Sequence, residues 1–281
     1  MSSSQQLVSF EQQGAIGHIV LDNPPENRIN REFYAQLGRS ARQALRAGCR
    51  AVLIRSAGPD FSLGGDFTEW PSFGTHAAKE ERFSFSNGIL QMIESLPMPT
   101  MAAVNGRAFG GGFELALHTD IIVAGDAASF RFPEVTLGVS PLAGGAQRVA
   151  ERAGRAVATR MVMLSELMTA EEAYRTGIVA RVVPDAELQA KAEAMAEQLS
   201  KGPTRAHEAT KLVISTWSTS GIRAADEVMI GSVVDLLDTR DCRAGVDAAI
   251  EAHAAGRPRP DTAFTVSDRH LFCRAASCST N

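Results

Sequence analysis

The chain has 281 residues, of which 44% are hydrophobic and 21% charged, and its formal net charge is -4. That is enough chain to bury a full core and to build one large domain with a smaller companion. Its lysines and arginines are scattered rather than striped, which excludes the basic face of a nucleic-acid binder.

No stretch is long and apolar enough to read as a membrane span. The opening "MSSSQQLVSFEQQG" has neither the basic-then-apolar pattern of a secretory leader nor the arginine spacing of a transit peptide. Cys49, Cys242, Cys273 and Cys278 contain no C-x-x-C pair for zinc or redox work. A reduced, cytoplasmic setting is expected.

In chain order, "GHIVLD" (17–22), "RAVLIRSA" (50–57), "TMAAVNG" (100–106) and "DIIVAGD" (120–126) predict strands, mostly too apolar to keep a wet face. Between the first two, "NREFYAQLGRSARQALRAG" (30–48) predicts a helix with Phe33, Leu37 and Leu45 on one stripe and Gly48 as its stop. Strands alternating with helices predict an α/β core. Thr169 and Glu172 have capping-box spacing and open a helix ending near Gly177. After "GIVARVVP" (178–184) the strands stop, and four helical patterns fill about 185–255. "GRPRPD" (256–261) then breaks any helix. The expected organisation is a core over 1–185, a helical subdomain over 186–258 and an irregular tail over 259–281.

Three consecutive glycines, Gly110, Gly111 and Gly112, are entropically costly to order, and they run directly into an apolar helical segment. The first N–H groups of a helix are unpaired and favour an anion or a developing oxyanion. Packing or turn use is the plainer reading of such a triplet. Phosphate binding is disfavoured, because neither G-x-G-x-x-G nor a Walker lysine is present. A second glycine turn, "FSLGGDFTEW" (61–70), follows the strand ending near Ala57. If the two turns meet, they supply two N–H donors to one carbonyl oxygen.

Two carboxylates stand near these turns. Glu114 falls in the first turn of the predicted helix, and Glu134 sits behind Pro133 in "RFPEVTLGVSPLAGGAQR". A capping acid and a loop acid are their plainer readings; together they permit general acid/base chemistry beside a polarised carbonyl. Phe67, Trp70, Phe73, Phe83 and Phe85 cluster after the first glycine turn, either as helix core or as a pocket wall. His118, four residues after Glu114, lacks the further ligands a metal site needs, so no metal is expected. Ser62 and Ser140 lack a histidine partner and a nucleophile elbow. Arg148 reads as the partner of a buried acid rather than as a ligand contact.

"PTMAAVNGRAFGGGFELALHTDIIVAGDAASFRFPEVTLGVSPLAGGAQR" (99–148) closely resembles the signature region of the enoyl-CoA hydratase/isomerase, or crotonase, superfamily. "LDNPPENRIN" (21–30) and "FSLGGD" (61–66) resemble its upstream motifs, and the likeness spans roughly 7–258. The resemblance implies an α/β spiral core of ββα units with a C-terminal helical subdomain for trimer assembly and ligand cover. It implies an oxyanion hole at Gly65 and Gly111 for the oxygen of an acyl-CoA thioester. Glu114 and Glu134 become the catalytic acids, and Leu63, Asp66, Gly110 and Leu142 become substrate contacts. Coenzyme A enters as part of the substrate, with no separate cofactor, and the partner is a second copy in a homotrimer or a dimer of trimers. Retention of both glutamates favours hydration of a 2-enoyl-CoA over double-bond isomerisation, other lyase or hydrolase chemistry, or binding without catalysis. Leu142 departs from a common glycine, Gly65 stands where alanine is frequent, and His253 with "GRPRP" replaces a lysine-rich ending. Arg28 is a candidate nucleotide contact.

Overall fold

The chain opens with an antiparallel pair, β1 (Val8–Gln13) and β2 (Ile16–Leu21), then α1 (Arg31–Arg46), β3 (Ala51–Ser56) and α2 (His76–Glu94). Next come β4 (Thr100–Val104), β5 (Arg107–Phe109), α3 (Gly111–Leu117), β6 (Ile121–Gly125) and β7 (Ser129–Arg131). Then follow α4 (Gly145–Ala153), α5 (Arg155–Met163), β8 (Met168–Thr169), α6 (Ala170–Arg175), β9 (Arg181–Val183) and α7 (Leu188–Ser200). Three helices close the chain: α8 (Thr204–Ser220), α9 (Ile222–Leu237) and α10 (Arg240–Ala254). This computed structural model describes residues 5–264. Cys273, Cys278 and most of the expected tail lie outside the described residues.

Two sheets organise the first unit. The larger has the order β1-β2-β3-β4-β6-β9 and is parallel from β2 onward; the smaller has the order β5-β7-β8. The pair β4–β5 and the pair β6–β7 each send one strand to each sheet, and helices follow each pair. That is the ββα spiral implied by the sequence. The predicted strands match β2, β3, β4 and β6, whose near-continuous burial reflects sheet faces covered on both sides.

Helix α1 starts at Asn30, whose side chain accepts from the Phe33 N–H at 2.8 Å. Its buried stripe is Phe33, Leu37, Ala41 and Ala44, whereas Leu45 is 40% exposed. Eight residues at about 100° each carry position 45 well off the direction of Leu37, so alanines continue the apolar face. The capping box at Thr169 and Glu172 forms as expected and opens α6.

Contacts divide the chain into two units. One holds the chain to Ala196 apart from Pro97–Pro99; the other holds Pro97–Pro99 and the chain from Glu197. The sequence boundary near 185 marks where strands end, while α7 carries the contact boundary because Leu188, Ala192 and Ala196 are buried in the first unit. The second unit packs α8 against α9 and caps α10 with Thr239, which accepts from the Cys242 N–H at 3.0 Å.

Within the first unit, Phe113, Phe130 and Phe132 are fully buried, with Phe113 5.0 and 4.9 Å from the other two rings. This cluster fixes two functional segments. Phe113 immediately precedes Glu114 on α3, and Phe132 precedes Pro133 and Glu134 in the turn after β7.

Candidate active site

The two glycine turns meet. Phe61 N–H donates to the Asn105 carbonyl at 2.9 Å, Ser62 N–H to Arg107 at 3.1 Å, and Phe109 N–H to Ser62 at 2.9 Å. Gly64 (φ +83°) faces the other turn so closely that a Cβ there would lie 2.7 Å from the Phe109 carbonyl oxygen and 2.9 Å from the Gly111 nitrogen. A Cβ on Gly112 would lie 2.3 Å from the Ser62 carbonyl oxygen. Glycine is needed at both places because two backbones pass within contact distance.

The neighbouring amides are used: Leu63 donates to Glu26, Gly64 to the Ser62 hydroxyl, Asp66 to Ile29 and Gly110 to Arg131. The N–H groups of Gly65 and Gly111 have no acceptor among the described residues. The Cβ position of Gly111 is 3.5 Å from the Gly65 nitrogen, so the two residues are immediate neighbours. Both line a solvent-open cleft of about 530 Å³ together with Glu114 and Glu134.

Glu114 is 2% exposed, and its Oε1 accepts from the Ala143 N–H at 2.7 Å and the Gly145 N–H at 3.0 Å. Burial pushes its carboxyl up to about 7, against the pull of those two amides and of Arg148. Glu134 is 7% exposed, and its Oε2 has no hydrogen-bond partner among the described residues. Burial, then the nearby Glu114 charge, pushes it up to about 7 as well. Their surroundings differ: two amides support the ionised form of Glu114, while Glu134 keeps a buried oxygen that accepts no hydrogen bond among the described residues, which disfavours its charge. Both carboxyls are thus raised toward neutrality, the range in which a carboxyl can exchange protons.

Of the expected contacts, Gly65, Gly111, Glu114, Glu134, Asp66 and Leu142 line the cleft. Leu63 and Gly110 lie behind its wall. The Leu63 side chain is buried and its carbonyl accepts from Arg28 at 2.9 Å. Gly110 (φ +50°) turns the chain beside Glu134, whose Oε1 is 2.8 Å from where a Cβ would stand. Leu142 gives its carbonyl to the Asn87 side chain at 3.0 Å, holding the loop whose next amide grips Glu114.

The aromatic segment is not helix core: none of its five rings is buried, and three of them form pocket wall. Trp70, Phe73 and Phe83 line the cleft, Phe67 lies under Arg28, Phe85 lies under Arg31, and the core face of α2 is Ile89, Leu90 and Ile93 instead. Arg28 also pairs with Glu26 at 2.9 Å. Arg148 pairs with an acid as expected, but the acid is Glu94, whose side chain is 43% exposed rather than buried. His118 Nδ1–H donates to the Glu114 carbonyl at 2.7 Å, and burial drives the ring down to about 4, so it stays neutral. Ser62 donates to the Asn27 carbonyl at 2.7 Å and is structural. Sequence reasoning passed over Tyr34, Arg82 and Ser86, all on the cleft wall. The signal for Tyr34 was its place beside Phe33 on a strongly amphipathic helix; Arg82 gave none, because a lone arginine amid glutamates reads as surface.

Residues 11–255 match the sequence profile described as enoyl-CoA hydratase/isomerase. A carnitinyl-CoA dehydratase of Escherichia coli (strain K12) is 38% identical over 221 residues, covering 75% of this chain and 81% of the relative. A carnitinyl-CoA dehydratase of Proteus mirabilis is 33% identical over 235 residues, covering 83% and 88%. The crystal structure of an enoyl-CoA hydratase from Bacillus anthracis superposes with a TM-score of 0.81 at 26% identity, covering 92% of this chain and 99% of that one. A profile match over most of the length, joined to a ββα spiral and two facing glycine turns, has one conclusion: the chain belongs to the enoyl-CoA hydratase/isomerase, or crotonase, superfamily.

Proposed function

We propose that the protein hydrates 2-enoyl-CoA thioesters. The observation that carries this reading is a single cleft holding two unpaired glycine amides and two buried carboxylates of unlike surroundings. The amides of Gly65 and Gly111 receive the thioester oxygen and stabilise the negative charge that develops on it. Glu114, whose ionised form the Ala143 and Gly145 amides support, takes a proton from water as the oxygen bonds to the β-carbon. The π electrons of the double bond move toward the thioester oxygen as an enolate. Their return forms a bond from the α-carbon to the proton that Glu134 gives up. One carboxyl gains a proton, the other loses one, and the substrate gains the elements of water.

Dehydration is the same reaction read backward, so the dehydratase names of the curated relatives support the reaction type. The reaction so written needs water and the thioester alone. The free, buried thiol of Cys49 supports a reducing cytoplasmic setting. Self-assembly, as a trimer or paired trimers, is supported by exposed apolar residues on α9, among them Ile230, Val233, Val234 and Leu237 at helical spacing.

Incubation with 2-enoyl-CoA and 3-enoyl-CoA thioesters, followed by mass spectrometry, tests the assignment. Gain of water on the 2-enoyl ester is the expected result. Reaction of the 3-enoyl ester alone, by double-bond migration, overturns it.

A further inference from the structure

Arg82 lies in the wall of the acid-lined cleft and is only 8% exposed. Its guanidinium sits over the rings of Tyr34 and Phe73, at 5.5 and 5.7 Å from their centroids. Nη1 donates to the Ser86 hydroxyl, whose own proton goes to the Arg82 carbonyl. The carboxylate facing it, Glu69, is 3.8 Å from Nη2, beyond hydrogen-bond length, and a third of that side chain is in solvent. Glu81 is held by Arg31 at 2.8 and 3.0 Å. The Nε of Arg82 has no acceptor among the described residues. A buried guanidinium carries five N–H donors and is costly to leave so poorly matched.

Beside it stands a second donor. The Tyr34 hydroxyl lines the cleft with no hydrogen-bond partner among the described residues. It lies 3.7 Å from the Cβ position of Gly111, next to the unpaired amide. An acyl chain whose carbonyl is gripped at Gly65 and Gly111 therefore starts beside Tyr34 and runs along the wall that holds Arg82.

We propose that Arg82 and Tyr34 together receive a carboxylate at the far end of the acyl chain, so that the preferred substrate is the CoA thioester of a short dicarboxylic acid. The proposal rests on the thioester reading above, which sets an acyl chain in this cleft, and it adds the chemical class of that chain. The planar fork of arginine suits a carboxylate in two-point contact, and a tyrosine hydroxyl adds a third donor. A nucleotide phosphate is a poor occupant here, because the guanidinium is enclosed by aromatic rings. A cationic acyl group would meet like charge at Arg82.

Calorimetric binding of saturated thioesters to the full chain tests this without turnover. Glutaryl-CoA, pentanoyl-CoA and 4-(trimethylammonio)butanoyl-CoA share the coenzyme, so its contribution cancels in their ratios. Glutaryl-CoA is expected to bind at least about tenfold tighter than pentanoyl-CoA, with the cation weakest. Arg82→Met brings the glutaryl-to-pentanoyl ratio to about one, Arg82→Lys retains part of it, and Tyr34→Phe lowers it. A wild-type ratio of one or less, a preference for the cation, or an Arg82→Met variant that weakens all three ligands equally overturns the proposal. The last result would make Arg82 a coenzyme contact or a staple to Glu69. Hydration of 2-pentenoyl-CoA by the wild type reads the reaction separately. If water is added without a diacid preference, only the substrate class is wrong; if no enoyl thioester gains water, the reaction is wrong and the binding ratios still decide Arg82.

Discussion

Glu114 and Glu134 both titrate near 7, for partly shared reasons. Burial raises each, and the Glu114 charge raises Glu134 further, so the two titrations are linked. Activity that needs one ionised and one protonated carboxyl falls on both sides of neutrality. A plot of kcat/KM for a 2-enoyl-CoA against pH should therefore be bell-shaped with its maximum close to 7. Glu134→Gln should lower turnover by about 10²- to 10⁴-fold while circular dichroism stays unchanged, since a neutral amide fits where a neutral acid fits. Stability follows the same shifts. A carboxyl raised on folding favours the folded state fully below its unfolded value of 4.5, and that contribution is lost as pH climbs through about 7. Wild-type stability should decline between those values, and Glu134→Gln should decline less; urea unfolding at pH 5 and pH 8 compares them.

At the scale of elements, the site depends on how closely the turn after β3 approaches the turn before α3. Gly112→Ala drives a Cβ into the Ser62 backbone and should destabilise the protein by about 2–3 kcal/mol. Gly65→Ala meets nothing within 4 Å and should change stability by no more than about 1 kcal/mol. Urea midpoints for the two variants check the contrast. The strands and the glycine turns were legible in the sequence because apolar runs and bare backbone are local signals. Meeting of the turns was not, since the bonds from Phe61 to Asn105 and from Phe109 to Ser62 span more than forty residues. Leu45 was misplaced because Ala41 and Ala44, small and weakly apolar, carry the stripe that larger side chains began. Tyr34 and Arg82 were invisible as a pair for a similar reason: α1 and α2 bring them together only by packing.

For the whole molecule, much of the exposed apolar surface lies on the closing helices, with a second group at Met163 and Leu164. Ile222, Ile230, Val234 and Leu237 of α9 are each more than half exposed, as are Ile214 of α8 and Ile250 of α10. Apolar exposure on that scale in one unit favours association with further copies of the chain. The double variant Ile230→Asp, Val234→Asp should sediment as a smaller species than the wild type. An unchanged sedimentation coefficient would move the contact surface elsewhere.

The loop from Leu142 to Gly145 has two duties that cannot be separated. Leu142 shapes the cleft, and the very next amide, with that of Gly145, sets how readily Glu114 gives up its proton. Any drift in sequence that reshapes the pocket there also detunes the reaction. The α2 wall, with Arg82, Phe83 and Ser86, makes no hydrogen bond to either glutamate. Those three positions can therefore change the pocket while the loop stays intact, provided Asn87 on the same helix keeps its bond to the Leu142 carbonyl.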